Sequence, residues 1–311
     1  MSFRARRFGD ILLLVALAAG SARTVEAAAA PHPKSSSTLH RASSGTHSTV
    51  RHAARRRARR PPPGGVYARS AIVLDPATGE VLFAKNAAQA VPIASLTKLM
   101  TALVFLEQQP DMLREAEVTR AELNGAGHTQ LRNRERVLVG HLLHMSLMCS
   151  DNVATRVLVR ESGVSPDEFR ARMNRKAAEL GLTDTHFVEF TGLDEGNVST
   201  AADVARLLRA AADHETIREI STTPYYDFRS ATRSHRVVNT NRLLHNHRLE
   251  VLSGKTGFIS EAGYCLATWI RTDGRDMIAV VLGAPTNATR FADVVRLVQK
   301  TISQSLTPAK S

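Results

Sequence analysis

A chain of 311 residues with 43% hydrophobic side chains can build a substantial core, which excludes wholesale disorder. Its formal charge of +12 suggests a nucleic-acid binder until that charge is located. Residues 1–30 carry +2 and residues 31–65 carry +8, so residues 66–311 carry only +2; the basicity belongs to a tail, and no nucleic-acid partner is expected.

Residues 1–30 read as a signal peptide for secretion. Arg4, Arg6 and Arg7 form a positive start, Ile11 to Ala19 is a short apolar stretch, and Val25-Glu26-Ala27 is a plausible cleavage site. Those nine apolar residues are too few to span a bilayer, which needs about 20. No Cys follows them to carry a lipid anchor; an uncleaved N-terminal helix is the alternative. Residues 31–65, rich in Ser, Thr, His, Arg and Pro, are expected to be a disordered basic linker, because ordering them costs entropy with little burial to offset it. Two roles are open for it: a solvated spacer, or a weak contact with anionic envelope polymers. His32, His40, His47 and His52 are scattered along it, and no metal site is expected there.

The folded part is expected over residues 66–311. Ala71 to Leu74, a turn through Asp75-Pro76-Ala77-Thr78-Gly79, and Val81 to Phe83 read as strand, turn, strand. From Ser95, Leu99, Ala102, Leu103 and Leu106 recur at helical spacing, as do Leu138, Leu142, Met145 and Met148 further on. Thr200 and Asp203 form a capping box opening a helix through Leu208. After Gly254 the chain turns strand-like, through Ala267 to Ile270 and Met277 to Leu282. Phe291, Val294, Val295, Val298 and Ile302 mark a last helix. The order implies an antiparallel sheet assembled from both chain ends around a helical middle.

Three short motifs carry chemistry. Ser95-Leu96-Thr97-Lys98 places a hydroxyl and an amine on one helix face. A serine is a weak nucleophile until a base takes its proton, and Lys98 is such a base only if burial or nearby positive charge lowers its pKa. Ser150-Asp151-Asn152 falls in a loop after an apolar helix; it reads as a proton-relay and amide-binding turn or, taken alone, as a helix cap. Lys255-Thr256-Gly257 lies on a strand, where a cation beside a hydroxyl makes a carboxylate receptor; alone it is equally an edge-strand lysine before a turn. Each motif is weak by itself. Together, in this order and in these contexts, they form the trio of the β-lactamases and penicillin-binding proteins.

On these residues the chain resembles the low-molecular-mass penicillin-binding proteins of serine peptidase family S11, and most closely their D-alanyl-D-alanine endopeptidases. The likeness runs from about Val66 to Lys300. It extends to Phe187-Val188-Glu189-Phe190-Thr191-Gly192-Leu193, Ser199-Thr200-Ala201, Asn239-Thr240-Asn241-Arg242-Leu243-Leu244, and the run from Lys255 to Gly263 followed by Cys265. The resemblance implies an α+β, serine β-lactamase/DD-peptidase-like fold: an antiparallel sheet flanked by helices, with a helical subdomain. It implies Ser95 as acylated nucleophile, Lys98 as its proton acceptor and Ser150 as a second proton-transfer residue. Asn152, Lys255, Thr256 and Gly257 would bind substrate, and the backbone N–H groups of Ser95 and Phe258 would form the oxyanion hole. Peptidoglycan stem peptides are the implied substrates and β-lactams the implied inhibitors, acting in the periplasm without metal or organic cofactor.

Rival functions are weighed on further residues. A class A β-lactamase needs a Glu-x-x-Leu-Asn-like loop after Ser150, and only Glu168 with Met173-Asn174 follows. Slow deacylation, hence inhibition, is therefore expected. A D-alanyl-D-alanine carboxypeptidase is the nearer alternative; that branch usually carries a further C-terminal domain, for which the residues after Lys255 leave no room. A non-catalytic wall-binding protein would be expected to carry damaged motifs, and all three are intact. Cys149 stands where relatives often carry Ser; it and Cys265 are expected to be free thiols. His141, His144 and the His245-Asn246-His247 loop are expected to be structural or solvent-exposed rather than metal ligands.

Overall fold

The computed structural model describes residues 65–305. The expected signal peptide and residues 31–64 of the expected linker lie outside the described residues; Gly65 is held, its carbonyl accepting from Arg296 Nε at 2.9 Å. The chain opens with the hairpin β1 (Ser70–Leu74) and β2 (Val81–Lys85), then β3 (Val91–Pro92) and α1 (Thr97–Leu106). The helical middle follows: β4 (Glu115–Glu117), α2 (Arg120–Leu123), β5 (Arg136–Leu138), α3 (Val139–His144), α4 (Asn152–Glu161), α5 (Pro166–Glu179), β6 (Val198–Ser199), α6 (Ala201–Asp213) and α7 (Glu215–Thr222). A second hairpin, β7 (Tyr225–Arg229) and β8 (Ser234–Val238), leads to the long strands β9 (Glu250–Ile259), β10 (Gly263–Thr272) and β11 (Arg275–Ala284), and α8 (Asn287–Ser305) closes the described part.

The main sheet has five strands in the order β2-β1-β11-β10-β9, every pair antiparallel. Its first hairpin comes from the start of the chain and its other three strands from the end, as the element order implies. The central strands read as continuous apolar runs because both faces are covered, and side chains alternate between them. Ile72, Ala267, Ile278, Val280 and Leu282 join the larger core with α1 and α6, while Ala71, Val73, Leu266, Ala279 and Val281 join a second core with α8. Sheet and helices thus form three layers, with β9 on an open edge facing the helical region.

Two local readings change. Thr200 Oγ caps α6 by accepting from Asp203 N at 3.0 Å, but Asp203 does not complete a capping box. Its carboxylate instead accepts from Asp184 N and Thr185 Oγ and pairs with Arg206. The second helix also does not run straight to Ser150. After α3, residues 145–149 widen into a π-helical turn, and Ser150 takes a left-handed conformation with φ +66°. A π-turn rotates the side chains that follow it, and here it hands the chain to the Ser150-Asp151-Asn152 motif.

Candidate active site

Ser95 lies in a short 3-10 turn, Ala94–Leu96, that opens onto α1, next to a strained neighbour: Ala94 has φ +49°. Such a conformation costs an L-residue about 1–2 kcal/mol and persists only where the surroundings hold it. Two glycines hold it. A Cβ on Gly192 would come within 2.1 Å of Ala94 O and 2.7 Å of Ser95 N; one on Gly257 would lie 2.9 Å from Ile93 O and 3.1 Å from Ser95 N. The turn is therefore clamped between the 189–193 loop and β9, at a separation no side chain permits. Thr97 Oγ adds a hydrogen bond to Ala94 O at 2.8 Å.

Lys98, one turn on, is fully buried. Its Nζ donates to Thr191 O at 2.5 Å and Asn152 Oδ1 at 2.7 Å, and lies 3.2 Å from Ser95 Oγ. Burial lowers its pKa from 10.5 to about 8, against the opposing charges of Glu189 and Asp151. Ser95 and Lys98, three apart in sequence, are thus in contact through an amine of reduced proton affinity.

The other motifs converge on this pair from two further elements. Asp151 caps α4, accepting from Ala154 N at 2.9 Å, and fixes the turn between Ser150 and Asn152. Asn152 bridges two segments: Oδ1 accepts from Lys98, and Nδ2 donates to Ala126 O at 2.8 Å. Ser150 Oγ accepts from Lys255 Nζ at 2.6 Å rather than from Lys98. Lys255, buried on the edge strand, has its pKa pushed well down by desolvation and by the Lys98 charge. Thr256 Oγ shares a 2.6 Å hydrogen bond with Thr240 Oγ. Gly257 closes against the Ser95 turn, and Phe258 stands half-exposed at the rim, stacked on Tyr264 at 4.2 Å.

Three participants escape a reading of motifs. Thr191 supplies a carbonyl to Lys98, a role no side-chain pattern reveals. Thr240, in the Asn-Thr-Asn stretch, extends the hydroxyl pair beside Lys255. Arg290, at the start of α8, is buried; its Nη1 donates to Gly257 O at 3.0 Å while its Nε has no partner among the described residues. Burial lowers its pKa to about 10. With Asn239, Thr240, Arg242 and Asn287 it lines a cavity of about 640 Å³ beside β9. A cavity of about 880 Å³, bounded by Trp269, Arg209 and Asp213, lies away from these motifs and holds none of their residues.

This arrangement of hydroxyl, lowered amine, second hydroxyl and further buried basic groups on a glycine-clamped turn has the chemistry that serine acyl transfer requires. The family model described as D-alanyl-D-alanine carboxypeptidase, Peptidase S11, matches residues 56–286. The chain belongs to this family. It is a serine DD-peptidase. It is 37% identical over 233 residues to a D-alanyl-D-alanine endopeptidase of Pseudomonas aeruginosa, covering 73% of this chain and 75% of that one. The D-alanyl-D-alanine endopeptidase of Escherichia coli is 33% identical with the same coverage. Among solved structures, a Streptomyces DD-transpeptidase superposes with a TM-score of 0.72 at 27% identity, covering 76% of this chain and 98% of that one. A penicillin-binding protein from Listeria monocytogenes, solved in its cefotaxime-bound form, superposes with a TM-score of 0.68 at 30% identity and the same coverage. The α+β DD-peptidase fold expected from the motifs is the one found.

Proposed function

We propose that this DD-peptidase is an endopeptidase that cuts D-alanyl–diaminopimelate cross-links in peptidoglycan through an acyl-enzyme on Ser95. The observation that carries the chemistry is Ser95 Oγ at 3.2 Å from a buried amine with pKa about 8. Lowering the pKa enlarges the neutral fraction of the amine near neutral pH relative to an ordinary lysine. Neutral Lys98 takes the Ser95 proton as Oγ attacks the D-alanyl carbonyl carbon. The C–N bond then breaks, and the leaving amine receives a proton by way of Ser150. Water hydrolyses the resulting ester and restores Ser95.

The N–H groups of Ser95 and Phe258 are the proposed oxyanion donors, each such donor typically worth about 2.7–4 kcal/mol of barrier. Asn152 orients Lys98 in the free protein, and its amide keeps a second N–H and a second lone pair with which to meet a substrate amide. Thr256 and Thr240 offer hydroxyls to a substrate carboxylate, backed by Lys255 and Arg290.

That receptor serves a terminal D-alanine and a cross-link alike, because both leaving groups carry a carboxylate of D configuration beside the amine. The preference for cross-links rests on the endopeptidase relatives and on the Phe258-to-Cys265 run. The carboxypeptidase reading is favoured by the description of the family model. Offering the purified protein a cross-linked muropeptide dimer and a monomeric pentapeptide in separate reactions decides between them. Faster release of D-alanine from the pentapeptide than of monomers from the dimer would assign the carboxypeptidase branch. We further propose export by the N-terminal signal peptide to the periplasm, covalent inhibition by β-lactams, and weak contact of the basic linker with anionic envelope polymers.

A further inference from the structure

Among the described residues, one carboxylate sits behind the reacting pair without touching it. Glu189 Oε2 accepts from Thr191 N and Thr191 Oγ, both at 2.6 Å. Its Oε1 accepts from Gly192 N, from Leu193 N at 3.0 Å and from Asn197 Nδ2 at 2.8 Å. Five donors converge on one side chain, and none of them is a cation. A carboxylate this well supplied with donors is held rigidly in place, as in backbone anion nests.

Two hydrogen-bonded routes leave it. One passes through Thr191, whose N–H is held by Glu189 and whose carbonyl accepts from Lys98 Nζ at 2.5 Å. The other passes through the buried Asn197, whose Nδ2 also reaches Thr97 Oγ at 3.2 Å, and Thr97 Oγ in turn donates to Ala94 O. Asn197 O also accepts from Ile93 N, tying the same loop to the residue before Ala94. The Gly192 N–H held by Glu189 belongs to the glycine packed on Ala94 and Ser95 N.

We propose that Glu189 is a positioning residue for the catalytic pair: its carboxylate folds the 189–193 turn onto both Ser95 and Lys98 and presents a fixed negative charge to the Lys98 amine. This rests on the reading of Lys98 as the base. The groups facing Lys98 are Glu189 from this turn, Asp151 and Cys149 from the turn before α4, and Arg156 from α4, with Lys255 beyond on β9. Of the charges opposing the desolvation of Lys98, Glu189 is the largest. The carboxylate thus restores part of the proton affinity that burial takes from the Lys98 amine.

The sign of the effect is testable. Acylation needs neutral Lys98, so its rate rises with pH through a midpoint near the Lys98 value of about 8. Removing the Glu189 charge weakens the amine and moves that midpoint down. Labelled penicillin would be used to measure acylation rates from acid to alkaline pH for the full chain, Glu189→Gln and Glu189→Asp, with thermal melting as the control for folding. Glu189→Gln should lower the midpoint by about one pH unit and the plateau rate about tenfold, since amide donors now face N–H groups. Glu189→Asp keeps the charge and should hold the midpoint to within about 0.3 units, while losing rate because the shorter arm cannot reach all five donors.

An unmoved Glu189→Gln midpoint, with both variants equally slowed, would reduce Glu189 to a structural brace and overturn the proposal. If Glu189→Gln does not fold, Glu189→Asp tests the positioning half of the proposal: acylation at the wild-type rate overturns it, and a loss of about tenfold in a folded protein supports it. A wild-type profile with no ascending limb removes Lys98 as the base, which is a separate failure.

Discussion

Replacing Gly192 by alanine tests whether the Ser95 turn is held in place by contact. The added Cβ would stand 2.1 Å from Ala94 O, 2.3 Å from Ala94 C and 2.7 Å from Ser95 N, where carbon contacts normally rest near 3.5 Å. All three atoms are backbone, so no side chain can swing aside and the two segments must part by roughly 1 Å. The left-handed φ of +85° adds about 1–2 kcal/mol for an L-residue, and forced overpacking typically about 1–3 kcal/mol more. A displacement of about 1 Å at a reacting group can slow the chemistry about 100-fold. Gly79 supplies the control: its φ is +76°, but a Cβ there meets nothing within 4 Å. Gly79→Ala should therefore lose only the conformational cost, about 1–2 kcal/mol by denaturant unfolding, and acylate penicillin at the wild-type rate. Gly192→Ala should lose about 2–5 kcal/mol and acylate about 100-fold more slowly. Acylation of Gly192→Ala within about threefold of wild type would refute the clamp and the positional argument built on it.

Ser95→Ala should stay folded and lose penicillin labelling, a loss on the order of a millionfold in rate; persistent labelling would remove Ser95 as nucleophile. Cys149 and Cys265 are free, and burial pushes their thiols up to about 12 and about 11, so alkylating reagents should modify neither until the protein is denatured, and then both without reductant. Burial works against ionisation of Glu135, but hydrogen bonds from Ser230 Oγ, His235 Nε2 and Arg132 N outweigh it and hold the carboxyl below its usual range. A depressed acid stabilises the fold above its unfolded pKa and ceases to as pH falls through the folded value. Glu135→Gln should thus melt lower than wild type at neutral pH, with the gap closing on acidification; a gap that stays constant would contradict this.

What the sequence made legible follows from what each element asks of it. The central strands and α8 bury long apolar runs, so their pattern is strong. Helix α5 buries only Phe169, Met173 and Ala177, a stripe one residue wide per turn, and no helix is expected there on periodicity. The β7–β8 hairpin escapes for a related reason: its core consists of stacked Phe228 and His235 with His141 and Tyr226, where polar rings stand in for aliphatic alternation. The motif residues were readable because their chemistry lives in side chains at fixed spacing. Their partners were not, because Thr191 acts through a carbonyl, Gly192 through the absence of a side chain, and Arg290 through a contact made from a distant helix.

The pairing of β1 with β11 sets a schedule for the molecule. Ser70 faces Leu282 and Leu74 faces Ile278, so β1 has no inner neighbour until almost the whole described chain exists. The serine is made early, but β9, which clamps its turn, and β11, which completes the sheet beneath it, come late. Closing so long a loop costs entropy that only the last contacts repay, which defers folding until synthesis is nearly complete. The turn that carries Ser95 then lacks its β9 clamp until those late residues are made. The same dependence makes the tail a point of failure: a cut before Arg275 would strip β1 of its inner partner and leave β10 as a bare, apolar edge open to aggregation.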